Sequence, residues 1–158
     1  MDIFSYFEDE TRDIEKKLED VTVNYKTYST EVVFDKVKVI CDSIMGHLKK
    51  QENLLLTNID KTPQITAILE DCQKDRATVE EEIGQLVMIH VNEPQYDEAL
   101  AQLLKVIEKH VQFSRAFYAK LKESVPEADL AKINDQLNQM VLHSTDFNSL
   151  QTSGSSGL

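Results

Sequence analysis

Glycine, proline and cysteine are scarce in this chain, whose 158 residues include 4 Gly, 3 Pro and 2 Cys. So few turn-forming residues favour a small number of long helices over many short strands. No stretch approaches the roughly 18 uninterrupted apolar residues of a membrane span. The opening MDIFSYFEDE lacks the basic start of a secretory signal. These absences predict a cytoplasmic protein with no membrane-spanning segment.

Basic residues are also in the minority, with 17 Lys and Arg against 28 Asp and Glu, for a formal net charge of -11. Phosphate binding needs clustered Lys and Arg, so the charge argues against nucleic acid and membranes as partners. The two cysteines, Cys41 and Cys72, are predicted to be buried free thiols, since disulfides are rare in the cytoplasm.

Motifs that carry common catalytic chemistry are missing from the sequence. It has no glycine-rich phosphate loop, no Cys-x-x-Cys, no His-Glu-x-x-His and no nucleophile with a matching base. We therefore predict that the protein is not an enzyme.

What the sequence does contain is apolar residues at alternating steps of three and four. Capping residues such as Ser29 or Thr30, and the pair Thr62-Pro63, mark helix starts. Five helical segments follow, at about 2–23, 30–58, 63–91, 95–123 and 126–142. The spacing predicts an all-α, antiparallel up-down-up-down four-helix bundle with a short fifth C-terminal helix. This domain spans 2–142, and the Ser- and Gly-rich segment 143–158 is predicted to be a flexible tail.

Polar residues interrupt the apolar stripes of all four long helices. A buried polar group without a partner costs about 1–3 kcal/mol, so these residues must be satisfied in some way. We expect them to form one shared layer, either as metal ligands or as hydrogen-bonded core groups. They are Thr11, His47, Gln51, Arg76, His110 and Ser114.

Metal binding by this layer would depend on His47 and His110, the two imidazoles within the stripes. A dinuclear site in a bundle also needs carboxylates one turn away, but Gln51 and Ser114 stand there and are neutral. Arg76 carries a fixed positive charge that repels a cation. We therefore expect no metal, with His47 and His110 as its ligands if one binds.

Three acids near the stripes are alternative ligands. Glu52 lies five residues after His47, about 140° further round the helix, and points partly away from the core. Glu10 and Asp75 are each one residue off a stripe. We expect Glu10 and Asp75 to be exposed charges, or partners of Arg76 at the edge of the layer.

Four segments resemble, in pattern and order, the hemerythrin-like (HHE cation-binding) family of four-helix bundles. They are DIFSYFEDETRDIEKKLEDV, HLKKQENLLLTNI, CQKDRATVEEEIGQL and VIEKHVQFSRAFYAKL. The following SVPEADL resembles the helix that commonly closes this family. The resemblance covers roughly residues 2–142 and implies a four-helix bundle.

The same resemblance implies a di-iron centre that binds or senses oxygen, nitric oxide or iron. His47 and His110 match ligand histidines of the family. Thr11 and Arg76 stand where two further histidines belong, and Gln51 and Ser114 stand where carboxylates belong.

Three functions remain open. In the first, the protein has lost the di-iron site and acts as a small-ligand-binding or protein-interaction module without a cofactor. Arg76 then fills the space of the lost cations and is paired with Gln51, Ser114, Thr11 or a nearby acid, and a small anion is a further candidate ligand for it. In the second, it binds iron, at a di-iron or mononuclear site with rearranged ligands. In the third, it is a structural or oligomerising helical protein. A protein partner and a homodimer both fit the first function.

Overall fold

All the regular secondary structure is helical over the residues that the computed structural model describes. These are residues 2–56 and 58–156, with side chains described for all except 56 and 144–156. A 3-10 turn covers Tyr25–Thr27 and a π-helical turn covers Glu52–Leu56. The α-helices are α1 (Ile3–Asn24), α2 (Thr30–Gln51), α3 (Pro63–Val87), α4 (Tyr96–Ser124) and α5 (Glu127–Ser156).

Side-chain caps set the starts of the first three helices. Asp2, Ser29 and Thr62 each have extended backbone and accept a hydrogen bond from the backbone N–H three residues later. Pro63 follows Thr62 as the first residue of α3, where its missing N–H has no cost. These caps confirm the predicted helix starts, with Ser29 rather than Thr30 capping α2.

The end of the second helix differs from the prediction. The sequence predicts one α-helix to about Asn58, whereas the α-helix ends at Gln51 and a π-helical turn follows. A π turn holds an extra residue and so changes which side chains face inward. Here the turn carries two consecutive buried residues, Leu54 and Leu55.

The fifth helix begins at Glu127, close to the predicted start, and its bounds extend past the predicted end at Leu142 to Ser156. The flexible tail at 143–158 stays a prediction, because the side chains from residue 144 onward lie outside the described part of the chain.

Two apolar clusters form the core, and a polar layer separates them. The upper cluster contains residues such as Ile14, Ile44 and Leu100, and the lower one residues such as Phe7 and Leu121. Helices α1, α3 and α4 contribute to both clusters, α2 contributes to the upper one, and the π turn and α5 contribute to the lower one. Helix α4 packs extensively against α1 and α3, and α1 packs against α2, whereas α2 and α3 contact each other little.

The two cysteines are free and buried, as predicted, with Cys41 in the upper cluster and Cys72 in the lower one. Burial raises the pKa of the Cys41 thiol to about 11 and that of Cys72 to about 12. Both therefore act as small apolar core groups at neutral pH. Within the described ranges, no helix is long and apolar enough to cross a membrane.

Candidate functional site

Five of the six predicted layer residues lie together between the two apolar clusters. Each is at most 5% exposed. Thr11, His110 and Ser114 lie on their helices between residues of the upper and the lower cluster, and His47 and Gln51 lie at the end of α2, before the lower-cluster residue Leu54. Helix α3 crosses the same level between Cys72 and Val79. The buried polar side chains are Thr11, His47, Gln51, His110 and Ser114.

His47 is held by a carboxylate from the neighbouring helix. Its Nδ1 lies 2.8 Å from Oε1 of Glu10 on α1. The second oxygen of Glu10 accepts a hydrogen bond from Lys50, which also donates to the hydroxyl of Tyr6. Glu10 is only 20% exposed, so the prediction of an exposed charge there is wrong.

His110 is held in the same way from the other side of the layer. Its Nδ1 lies 2.5 Å from Oδ2 of Asp75 on α3, and the Asp75 side chain is 16% exposed. The prediction of an exposed charge, or of a pair with Arg76, is wrong for Asp75 as well. Each imidazole thus has its orientation fixed by one carboxylate on the adjacent helix.

The remaining ring nitrogens of the two histidines face each other. Nε2 of His47 and Nε2 of His110 are 3.4 Å apart, with the ring planes at 87°. A neutral imidazole that donates from Nδ1 to a carboxylate carries a lone pair on Nε2. The contact becomes attractive when a cation lies between the nitrogens, either a proton or a metal ion.

Burial and charge set the protonation of the Glu10–His47 pair. Burial lowers the pKa of His47 below its ordinary 6.5, as does the nearby His110, and the hydrogen bond to Glu10 only partly offsets this. For Glu10, burial raises the pKa, but hydrogen bonds from His47 and Lys50 outweigh it and hold the pKa below 4.5. At neutral pH the pair is therefore a carboxylate and a neutral imidazole.

The neutral members of the layer are paired with Tyr118, with His110 or with the backbone. Gln51 donates from Nε2 to the hydroxyl of Tyr118 at 2.7 Å, and Ser114 Oγ lies 3.4 Å from Nε2 of His110. The Thr11 hydroxyl lies within hydrogen-bond distance of backbone carbonyls in its own helix and presents no donor to the imidazoles. Within the described residues, no buried side-chain nitrogen or oxygen lacks a hydrogen-bond partner.

Arg76 does not fill the centre of the layer, contrary to the prediction. Its side chain is 25% exposed and forms ion pairs with Glu52 and with Glu80 one turn along α3. A long side chain on an apolar stripe can carry its charge to the surface, and that is what happens here. The partners of Arg76 are therefore acids, which was one of the alternatives, but they are Glu52 and Glu80 rather than Glu10 or Asp75.

These positions also limit metal binding. In the described part of the chain, no group of three His, Cys, Asp or Glu side chains is arranged to hold a metal ion. The two facing imidazoles are the nitrogen ligands that the layer offers, and Glu10 and Asp75 are engaged at the Nδ1 atoms.

A second site, which the sequence pattern does not predict, is an open groove of about 940 Å³. It runs between the first half of α2, residues 30–42, and the end of α3 with the loop to α4, residues 86–96. The groove lies where α2 and α3 contact each other little. We call it the α2–α3 groove.

Apolar side chains line the α2–α3 groove and remain exposed around it. Phe34 is 57% exposed, Val87 65% and Met88 86%. Its deeper wall includes the buried Cys41 and Tyr96, and burial raises the pKa of Tyr96 to about 12. The deeper wall is therefore uncharged at neutral pH.

Comparison of the chain with protein-family models, curated proteins and solved structures finds no match.

Proposed function

We propose that the chain is a cytoplasmic, hemerythrin-like domain over residues 2–142, built as an antiparallel up-down-up-down four-helix bundle, and that it acts as a protein-interaction module rather than an enzyme. The packing of α1 on α2, of α1 on α4 and of α3 on α4 supports this arrangement. The common level at which all four helices cross the polar layer supports it as well.

A di-iron centre does not fit the layer. Such a centre needs several imidazoles and carboxylates directed at the metals, and here two imidazoles face each other while neutral side chains fill the other buried positions. The carboxylates of Glu10 and Asp75 face the Nδ1 atoms instead. A dinuclear iron cluster in natively purified protein, seen by elemental analysis and oxo-bridge absorption, would contradict the proposal.

The observation that carries the interaction function is the exposure of three large apolar side chains around one groove. Phe34, Val87 and Met88 line the same groove, and each leaves most of its apolar side chain in water. Contiguous exposed apolar surface on a helical protein marks an interaction site, whereas scattered single residues do not. Methionine is especially suited to this role because its flexible thioether adapts to different partners.

Site-specific photo-cross-linking tests this function. The full chain would carry p-benzoylphenylalanine at Phe34, in the groove, or at Val23, which is 78% exposed on α1 as the control. In an extract of the cells that naturally contain the protein, we expect the probe at Phe34 to cross-link to a discrete polypeptide. The probe at Val23 should not. An excess of the unlabelled chain should suppress them, and an excess of the Met88→Asp variant should not. Identical products from both positions would refute the interaction function.

Binding of a single metal ion is a second candidate, favoured by the facing imidazoles. Two nitrogens bound to tetrahedral zinc at about 2.0–2.1 Å lie roughly 3.3 Å apart, close to the separation of the Nε2 atoms. That separation is 3.4 Å, and Ser114 Oγ lies at the same distance from the His110 nitrogen. Carboxylates on the Nδ1 atoms are also a common support for zinc-binding histidines.

Calorimetric titration of the metal-free chain with Zn²⁺ tests this candidate. We expect His110→Gln to abolish zinc binding and His90→Gln, at an exposed position in the loop after α3, to preserve it. Equal binding by the two variants, or no binding by the wild-type chain, would eliminate the candidate and leave the interaction function intact.

A further inference from the structure

We propose that the α2–α3 groove binds an amphipathic helix of another protein, with an apolar face and flanking Lys and Arg residues. The inference rests on the proposed interaction function and specifies the chemistry of the partner.

The shape of the groove fits a short helix. Along α2 its wall runs from residue 30 to residue 42, which spans about 18 Å at 1.5 Å per residue. That length matches about three turns of a bound helix. Helices recognised in grooves place apolar side chains from one face against such a wall, and Phe34, Val87 and Met88 are placed to contact them.

The charged residues on the rim of the groove predict the charge of the partner. Four exposed acids line it, namely Glu31, Asp35, Asp42 and Glu93, against the single lysine Lys38. With His90 neutral, four negative charges and one positive charge give the lining a formal charge of -3. A basic partner is attracted to this rim, and complementary charge raises both the association rate and the specificity.

Other occupants are disfavoured by the same charges. A second copy of the chain would bring a net charge of -11 to an acidic rim. Nucleic acids and anionic membranes are repelled in the same way. Strand addition needs the free edge of a sheet, and the described residues contain no strand.

Two synthetic peptides test the inference with the full chain. Both are about 18 residues long, form amphipathic helices and share one leucine face, with lysines on the polar face of one and glutamates on that of the other. Fluorescence anisotropy would measure their binding at low and at physiological salt. We expect the lysine peptide to bind and the glutamate peptide not to bind, with affinity falling as salt rises.

Variants distinguish the groove from general attraction to an acidic protein. We expect Phe34→Asp and Met88→Asp to weaken binding of the lysine peptide by about tenfold or more. Val39→Asp adds the same charge at a position that is also 57% exposed but lies outside the groove, so it should not weaken binding. Circular dichroism would verify that all three variants are folded. The double variant Glu31→Lys, Asp35→Lys should weaken binding as well, by removing the acidic rim.

The inference is overturned if the lysine peptide does not bind, or if it binds all the variants equally well. In either case, a groove-specific cross-link from Phe34 would still uphold the interaction function with a different class of partner. Without that cross-link, both proposals would fail.

Discussion

A buried imidazole needs a partner for its polar ring atoms, and the loss of a hydrogen bond to a charged group costs about 1.5–3 kcal/mol. His110 is 3% exposed and has Asp75 at its Nδ1. We therefore expect Asp75→Asn to lower the free energy of unfolding by about 1–3 kcal/mol in urea denaturation. Asp71→Asn, at an exposed position on the same helix, should change it by less than about 0.5 kcal/mol. Equal effects of the two substitutions would contradict the role of the Asp75–His110 pair.

The lowered pKa of His47 predicts a loss of stability in mild acid. Below its ordinary value of 6.5, the unfolded chain binds a proton at this histidine more readily than the folded chain does. Stability therefore falls as the pH drops through this range, while Glu10 stays ionised because its pKa is held below 4.5. Urea denaturation of the metal-free chain between about pH 8 and about pH 5 should show this slope. His47→Gln should reduce the slope, and an unchanged slope in that variant would disprove the assignment.

Sequence spacing identified the buried histidines but not the acids that hold them. Glu10 and Asp75 lie one residue off their stripes, and whether such a residue reaches a neighbouring helix depends on how the helices are rotated against each other. That rotation is a property of the packed structure and not of one helix's periodicity. Arg76 lies on a stripe, but its long side chain takes the charge outward to Glu52 and Glu80.

The first turn of α3 depends on the Thr62 cap. Its hydroxyl accepts the N–H of Ile65, which otherwise lacks a partner within the helix. We expect Thr62→Ala to lower the free energy of unfolding by about 1 kcal/mol, measured in urea. Thr78→Ala, at an exposed position within the same helix, is the matched control and should have a smaller effect. A larger effect at Thr78 would show that the cap does not stabilise the helix.

Helix starts were predictable because capping is local chemistry, set by a few neighbouring residues. Ser29, Thr62 and Pro63 confirm this within one residue of the predicted positions. The change to a π turn at Glu52 was not predictable in the same way. It places both Leu54 and Leu55 in the lower cluster, which is a requirement of tertiary packing.

The two apolar clusters should unfold as one unit, because α1, α3 and α4 each contribute side chains to both. We expect Leu100→Ala in the upper cluster and Leu121→Ala in the lower one each to cost about 2–5 kcal/mol. Leu142→Ala, at a position that is 64% exposed, should cost far less. Circular dichroism and tyrosine fluorescence should report coincident urea transitions in each variant. Separate transitions would show that the polar layer divides the fold into independent units.

The α2–α3 groove was not predicted, although the sequence contains a signal for it. Phe34, Val87 and Met88 are large apolar residues outside the apolar stripes of their helices. In a single sequence, such residues are indistinguishable from isolated surface hydrophobics, which are common. Their meaning appears only when the fold brings the start of α2 next to the end of α3.

The paired histidines and carboxylates have a consequence for how the helices align. Glu10–His47 joins α1 to α2, Asp75–His110 joins α3 to α4, and the facing rings join α2 to α4. If one helix slid by a single turn, about 5.4 Å, its histidine–carboxylate hydrogen bond would break and a buried polar atom would lose its partner. Leucine layers would tolerate that slippage. We therefore expect this layer to fix the register of the four helices. It selects one alignment among several that would bury similar amounts of apolar surface.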